Sequence, residues 1–350
     1  MVASYCMVAW LGYGVLAFYG APLTGGESLQ WLGSLGRTYL VALTRVPPQL
    51  IGAVALLVAS LVLGVSAWRA WQFRSGGAEM ARWLGARYVD PERCSPNERR
   101  LLNIVSEMSI ASGVREPPVY VLRREGAVNA LVLGHTVDDA AIIVTQGAAE
   151  LLSRDELQGV LGHEYSHILN GDMALNLRLA CLLAGLSWIG QCGEEMVWRD
   201  AERARGKDGE SAAGPLALFG ALVALIGFPG VLAADAVKAA ISRERELLAD
   251  AASVQFTRNP DAIAGALDSI IALRAQTSVT AIHSLELSHM FFAPLNARWW
   301  GFATHPSIEA RIAAVHPRFD RPSYRETRHG IRREIAVLDG GDVVRYLPLQ

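Results

Sequence analysis

Along this chain, uncharged apolar runs alternate with polar stretches long enough to fold. Leu50 to Trp68, LIGAVALLVASLVLGVSAW, has 19 residues and no charge, close to the roughly 20 that cross about 30 Å of hydrocarbon as a helix. Val2 to Gly20 is equally uncharged and carries the Trp and Tyr residues common at membrane interfaces. It lacks a basic start and an A-x-A cleavage site, so it reads as an anchor rather than a removable signal peptide. Pro215 to Val237 is a further run, with a kink expected at Pro229. Leu175 to Gly193 is the weakest, because Arg178 interrupts it near its start, and its alternative is a buried or hairpin helix that never crosses. The pattern predicts about four transmembrane helices.

Inside the polar stretches the period changes. Ser95-Pro96-Asn97-Glu98 supplies an N-cap, a proline at the first helical position and a glutamate at the third, opening a helix to about Ala111. Three β-rich runs follow, Pro118 to Leu122, Val128 to Gly134 and Ala140 to Thr145, separated by turn-like REGA and HTVDD, and they predict a small sheet. Ser153-Arg154-Asp155-Glu156 is a second capping box. Leu157, Val160, Leu161, Ile168 and Leu169 provide an apolar face until Asn170-Gly171 ends the helix. The tail from Ile335 to Leu347 alternates only weakly and receives no role.

Composition agrees with a membrane protein. Of 350 residues 51% are hydrophobic and only 19% charged, below the roughly 25% of soluble domains. A net charge of −2 without a basic patch or Lys/Arg-rich arm leaves nucleic-acid binding without support. Cys6, Cys94, Cys181 and Cys192 have no C-x-x-C spacing, so neither a disulfide framework nor a cysteine metal site is implied. Arg69, Arg74, Arg82 and Arg87 follow one apolar run, and Lys238, Arg243 and Arg245 follow another. The stretch between the first two runs has only Arg37 and Arg45. The positive-inside bias then faces both polar stretches to the cytoplasm. The predicted organisation is two N-terminal spans in 1–70, a first polar, folded part in 71–174, a transmembrane hairpin in 175–237 with an exposed loop at 194–214, and a second such part in 238–350.

The candidate chemistry lies in LGHEYSHILNGD, residues 161 to 172. His163 and His167 are four apart on the predicted helix, hence on one face, as two imidazoles binding one ion require. Glu164 projects beside them, where a carboxylate accepts a proton from a water acidified by zinc. Two histidines alone are no catalytic site, and a third ligand must come from another helix. In SRERELLAD, Glu246 and Asp250 share a face, so that one could ligate the ion while the other orients a ligand histidine. The plain alternative is a solvated charged helix face. His135 reads as a turn residue, and His283, His289, His316 and His329 lack ligand spacing. Phe291-Phe292 and Trp299-Trp300 read as packing residues.

These motifs in this order resemble the HtpX-type membrane zinc metalloproteases, bacterial relatives of the CAAX prenyl endopeptidases. The likeness rests on VNALVLG, SRDELQGV leading into LGHEYSHILNGD, an apolar hairpin, SRERELLAD, and Thr304-His305-Pro306-Ser307 with Arg311. Leu131 stands where the family commonly has an aromatic residue. The resemblance implies a mainly helical α+β fold with a gluzincin-like cytosolic protease domain in the inner membrane, and one Zn²⁺ per chain held by His163, His167 and Glu246. It further implies Glu164 as general base, Asp250 and Arg311 as supporting residues, His305 near the site for the oxyanion, and Asn129 and Ala130 holding substrate backbone by β-augmentation. The implied partners are protein or peptide substrates, membrane proteins among them, and the lipid bilayer. The implied function is cleavage of membrane or misfolded proteins near the cytosolic face, in quality control. His167 is about a dozen residues before Leu179, roughly 18 Å along a helix, which places the metal near headgroup level. The alternatives are a site-specific CAAX-type processing enzyme and a non-catalytic scaffold stabilised by its metal.

Overall fold

The computed structural model describes residues 48–123, 125–205, 214–273, 287, 290–293 and 305–328. Helix α1 (Pro48–Gln72) is followed by α2 (Gly77–Trp83), strand β1 (Arg87–Tyr88), α3 (Pro96–Ser112), strands β2 (Val119–Leu122), β3 (Ala130–Leu133) and β4 (Ala141–Thr145), and helices α4 (Gln146–Leu151) and α5 (Arg154–Leu169). Then come α6 (Asp172–Arg205), α7 (Pro215–Thr257), α8 (Pro260–Leu273) and α9 (Ile308–Val315). Residues 321–328 are also helical. The chain divides into two compact units, Met1–Trp71 with Cys181–Asp235, and Gln72–Ala180 with Ala236–Gln350.

The first unit holds most of the apolar helix length. Among the described residues three helices are long and apolar enough to cross a membrane, with candidate spans Ala55–Gln72, Asp172–Glu202 and Pro215–Thr257. Leu56, Leu57, Leu63, Leu218 and Phe219 are well over half exposed, a surface suited to lipid rather than water. Glycines let α6 and α7 approach closely. A Cβ at Gly227 would collide with the backbone of Gly190, and one at Gly193 with that of Ala224, a small-residue contact of the kind that packs helices in lipid. The Val2–Gly20 run lies outside the described residues, as do the tail 335–347, Thr304, Trp299 and Trp300.

One expectation is corrected here. The exposed loop predicted at 194–214 is helical as far as Arg205, because α6 continues to that residue. Residues 194–205 are good helix formers, and Glu195 and Arg199 bond at 2.7 Å one turn apart. Charge and hydrophilicity suggested a loop where they mark only an exposed helix end.

In the second unit, the sheet has the order β1-β2-β4-β3. β2 and β4 run parallel, while β3 is antiparallel to β4 with Ala130 opposite Val144. β2, β3 and β4 are buried along their whole length, so both sheet faces are covered. α5 packs against α3, α8 and β3. Its start is fixed by the capping box: Ser153 Oγ accepts from the Glu156 N–H at 3.2 Å, and Glu156 Oε2 accepts from the Ser153 N–H at 2.7 Å. Gly159 lies against the α8 backbone at Ala262 and Ile263, where no Cβ fits, and its carbonyl accepts from Ser253 Oγ of α7 at 2.6 Å. Leu157, Leu161, Tyr165 and Ile168 are fully buried, each large apolar side chain contributing about 1.5–3 kcal/mol by leaving water. The helix with the histidine pair is therefore the central element of this unit, rigidly held on every side.

Candidate active site

His163, Glu164 and His167 occupy the last two turns of α5, and all three are buried. Glu246 and Asp250 come from the second half of α7, four residues apart, and both turn toward α5. His163, His167 and Glu246 each offer a ligand atom, and these atoms lie within 4.8 Å of one another. The two Nε2 atoms are 3.0 Å apart, and the Glu246 carboxylate oxygens lie 3.8 Å from that of His163 and 3.7 Å from that of His167.

The other nitrogen of each imidazole is held by a carboxylate. His163 Nδ1 meets Asp250 Oδ1 at 2.8 Å, and His167 Nδ1 meets Asp172 Oδ2 at 2.9 Å. A carboxylate only accepts, so each Nδ1 carries the proton and each Nε2 presents a bare lone pair. Two lone pairs facing each other at 3.0 Å repel unless a cation lies between them. Protonating the His163 ring is no remedy, since burial pushes that imidazole down to about 4. Two imidazoles and one carboxylate form a known donor set for catalytic zinc, so the residues present fit that ion.

Behind these three residues lies a second layer of charge. Arg311 of α9 is fully buried and donates through Nε to Asp250 Oδ2 and through Nη2 to Oδ1, both at 2.7 Å. Burial alone would depress its guanidinium, yet the Asp250 carboxylate holds it above the usual arginine value. Its Nη1 also lies 3.4 Å from Glu246 Oε2. His305 is buried, with Nδ1 3.0 Å from the same Glu246 oxygen. Arg245 closes a salt bridge onto Asp172, joining the carboxylate behind His167 to the residue next to Glu246.

Glu164 has a different environment. Neither of its carboxylate oxygens has a partner at hydrogen-bond geometry, and burial raises it to about 8 against the pull of the neighbouring His167 and Arg311. A buried carboxyl beside three residues that could hold a metal ion is placed to exchange protons.

Asn129 and Ala130 are bonded within the chain itself. Both are buried at the start of the edge strand β3. The Asn129 amide bonds to Ala130 N–H and to both backbone groups of Ala293, and Ala130 O accepts from Phe292 N–H. Their edge is closed by the chain itself. His135 is exposed, with Nε2 2.7 Å from Phe73 O, and His316 lies 3.3 Å from Asp261; neither belongs to the cluster. His283, His289 and His329 lie outside the described residues. Sequence reasoning missed Asp172, although an acidic residue just past the last helical turn after His167 was the available signal. Nothing in the spacing pointed to Phe292 and Ala293.

The model of peptidase family M48 matches residues 95–318, a range that contains every residue described at this site. A protease HtpX homologue of Streptococcus uberis is 37% identical over 213 residues, covering 60% of this chain and 70% of that protein. One from Caldanaerobacter subterraneus subsp. tengcongensis is 36% identical over 234 residues, 65% of this chain and 74% of that protein. Another, from Streptococcus thermophilus, is 33% identical over 264 residues, with 73% and 84% covered. Among solved structures, the crystal structure of S. mikatae Ste24p aligns over 84% of this chain and 76% of that one. Its TM-score of 0.37 and 15% identity are too low to carry an argument.

Proposed function

The chain belongs to peptidase family M48 and is a metalloprotease of the membrane, and from that premise we propose how its residues hold the metal and cut a peptide. His163 Nε2, His167 Nε2 and a Glu246 carboxylate oxygen hold one zinc ion. Bound there, zinc supplies Lewis-acid polarisation of the scissile carbonyl and lowers the pKa of water toward about 7. Asp250 and Asp172 keep both imidazoles in the tautomer that ligates. Arg311 neutralises Asp250, and His305 keeps the Glu246 carboxylate in place.

Glu164 takes a proton from the attacking water onto a carboxylate oxygen and returns it to the departing amine nitrogen. Burial raises its proton affinity above that of a solvated carboxylate, which favours taking up the proton of the water. The observation that carries this reading is the pair of Nε2 atoms facing each other beside Glu246, each with its Nδ1 tied to a carboxylate.

The substrates we infer are membrane or misfolded proteins reached near the cytosolic face, in protein quality control. The basic residues that follow the apolar runs support that orientation. The test is Glu164→Gln in the full chain purified in detergent with zinc, assayed on unfolded casein. Zinc content should stay at one ion per chain while cleavage falls at least about a hundredfold, at the low end of general-base effects. Cleavage that persists in this variant refutes Glu164 as the base.

A further inference from the structure

Glu156 stands on the first turn of α5 and is fully buried. His163 follows it by seven residues and His167 by eleven, about two and three turns, so all three lie on one stripe of the helix. Whatever fixes Glu156 about the helix axis therefore fixes the direction in which both imidazoles point. Its carboxylate is held by the helix's own N-cap, by α8 and by the 321–328 helix. Oε2 accepts from the Ser153 N–H at 2.7 Å, and Oε1 accepts from Ser269 Oγ of α8 and from the Tyr324 hydroxyl, both at 3.2 Å.

The counter-charge comes from the far end of the described chain. Arg328 donates through Nη2 to Glu156 Oε2 at 2.9 Å, and its Nε lies 2.6 Å from Oε1. The same Nη2 donates to Leu151 O at 2.9 Å, at the end of α4. Arg321, Tyr324, Arg325 and Arg328 fall at i, i+3, i+4 and i+7, on one face of the 321–328 helix. Arg325 grips the buried Asp268 of α8 with two arms of its guanidinium, Nε to Oδ2 at 2.7 Å and Nη2 to Oδ1 at 2.8 Å. The Tyr324 ring fills the space that a Cβ would take at Gly265 of α8. A helix docked in this way onto buried carboxylates has a fixed register, since a slip of one residue would leave a carboxylate without its cation.

Arg311 of α9 has the matching place at the other end of the stripe, paired with Asp250, which in turn holds His163. Between the two arginines, the Phe319 and Tyr324 rings meet with their centroids 5.1 Å apart. One stretch of chain thus sets an arginine behind each end of the α5 face that carries the histidines.

We propose that the 321–328 helix positions α5, and that Arg328, acting through Glu156, sets the rotation of α5 and with it the approach of the His163 and His167 Nε2 atoms to Glu246. Arg328 is a positioning residue that touches neither metal nor substrate. Without it, Glu156 is a buried charge with no cation at salt-bridge distance among the described residues, and the first turn of α5 shifts to reach water. The activity arm of the proposal rests on the endopeptidase reading above, whereas the zinc arm does not.

The experiment uses the full chain in detergent, well below the thermal midpoint of each variant, with unfolded casein as substrate and chelator competition for zinc. Arg328→Ala should lower kcat by on the order of tenfold with KM unchanged, and raise the zinc dissociation constant about tenfold. Adding Glu156→Gln to Arg328→Ala should recover most of both losses, because the amide oxygen still accepts from the Ser153 N–H while no charge is left stranded. Arg328→Lys keeps the charge without the fork and should show the same effects at smaller size, so the comparison holds even where Arg328→Ala does not fold. Arg325→Ala, which frees Asp268 on α8 and not Glu156, should lower the thermal midpoint and leave kcat and zinc affinity as they were. A lowered midpoint with kcat and zinc affinity unchanged in both Arg328 variants overturns the proposal, as that is a structural role alone. So does a loss that Glu156→Gln fails to relieve. An unmutated zinc-loaded chain that cuts no casein overturns the endopeptidase reading, and the zinc comparison then decides this proposal by itself.

Discussion

At the scale of single residues, the site is ordered by carboxylates rather than by its histidines. Asp250 and Asp172 each fix one imidazole, and each is answered by an arginine, Arg311 and Arg245. Asp172 is 1% exposed, so its charge acts in a poorly solvated setting. Removing it frees the His167 ring to turn and weakens its lone pair as a donor. Asp172→Ala is expected to lower zinc affinity about 10–100-fold, measured on the purified chain by competition with a chelator of known affinity. An unchanged dissociation constant would show that Asp172 does not orient the ligand. Arg311 is held on Asp250 by two short bonds in a fully buried position. Truncating one partner there leaves an uncompensated buried charge, which costs about 3–5 kcal/mol, so Arg311 tests folding before it tests catalysis.

Among the elements, α5 and α7 carry the site because each is locked before the metal is considered. Capping, Gly159 and the Ser253 bond set α5 against α7 and α8, and Glu246 and Asp250 come together from the spacing of one helical turn. In the other unit, contact between α6 and α7 depends on glycines. At Gly227→Leu the added side chain has no space beside Gly190, and the helices must separate. The expected cost is at least the 1–3 kcal/mol or so of an overpacked core, seen as a lower thermal midpoint in detergent. Leu218→Ala, at a position 67% exposed, is the control and should change the midpoint little. Equal midpoints for the two variants would mean that the glycine contact is not what holds these helices together.

On the scale of the whole molecule, three membrane-length helices among the described residues and a buried metalloprotease site belong to one chain, so orientation decides which substrates it meets. Cys94 reports on this directly. It is a free, partly exposed thiol in the polar unit, just before the capping residue of α3. In a variant retaining only that cysteine, a membrane-impermeant maleimide should label inverted vesicles and spare right-side-out spheroplasts. The opposite pattern would place the protease unit outside the cytoplasm and rule out quality control at the cytosolic face.

Much of this protein is written in local patterns. Length and hydropathy mark the apolar helices, capping boxes set the starts of α3 and α5 to within a residue, and β-rich runs bounded by turn-like segments mark the three longer strands; these are short-range effects that neighbours in the chain decide. The pairing of His163 with His167 belongs to the same class, since a helical turn brings them together without help. Glu246 is 79 residues beyond His167, and the sequence alone left it level with Asp250 and with a plain solvated face, until the resemblance singled it out. Tertiary structure alone decided that the start of β3 is closed, because Phe292 and Ala293 meet Ala130 and the Asn129 amide from more than 160 residues away. The continuation of α6 to Arg205 also required the structure, since a charged helix end and a charged loop have the same composition. Local periodicity determines which faces exist, and packing determines what each face meets.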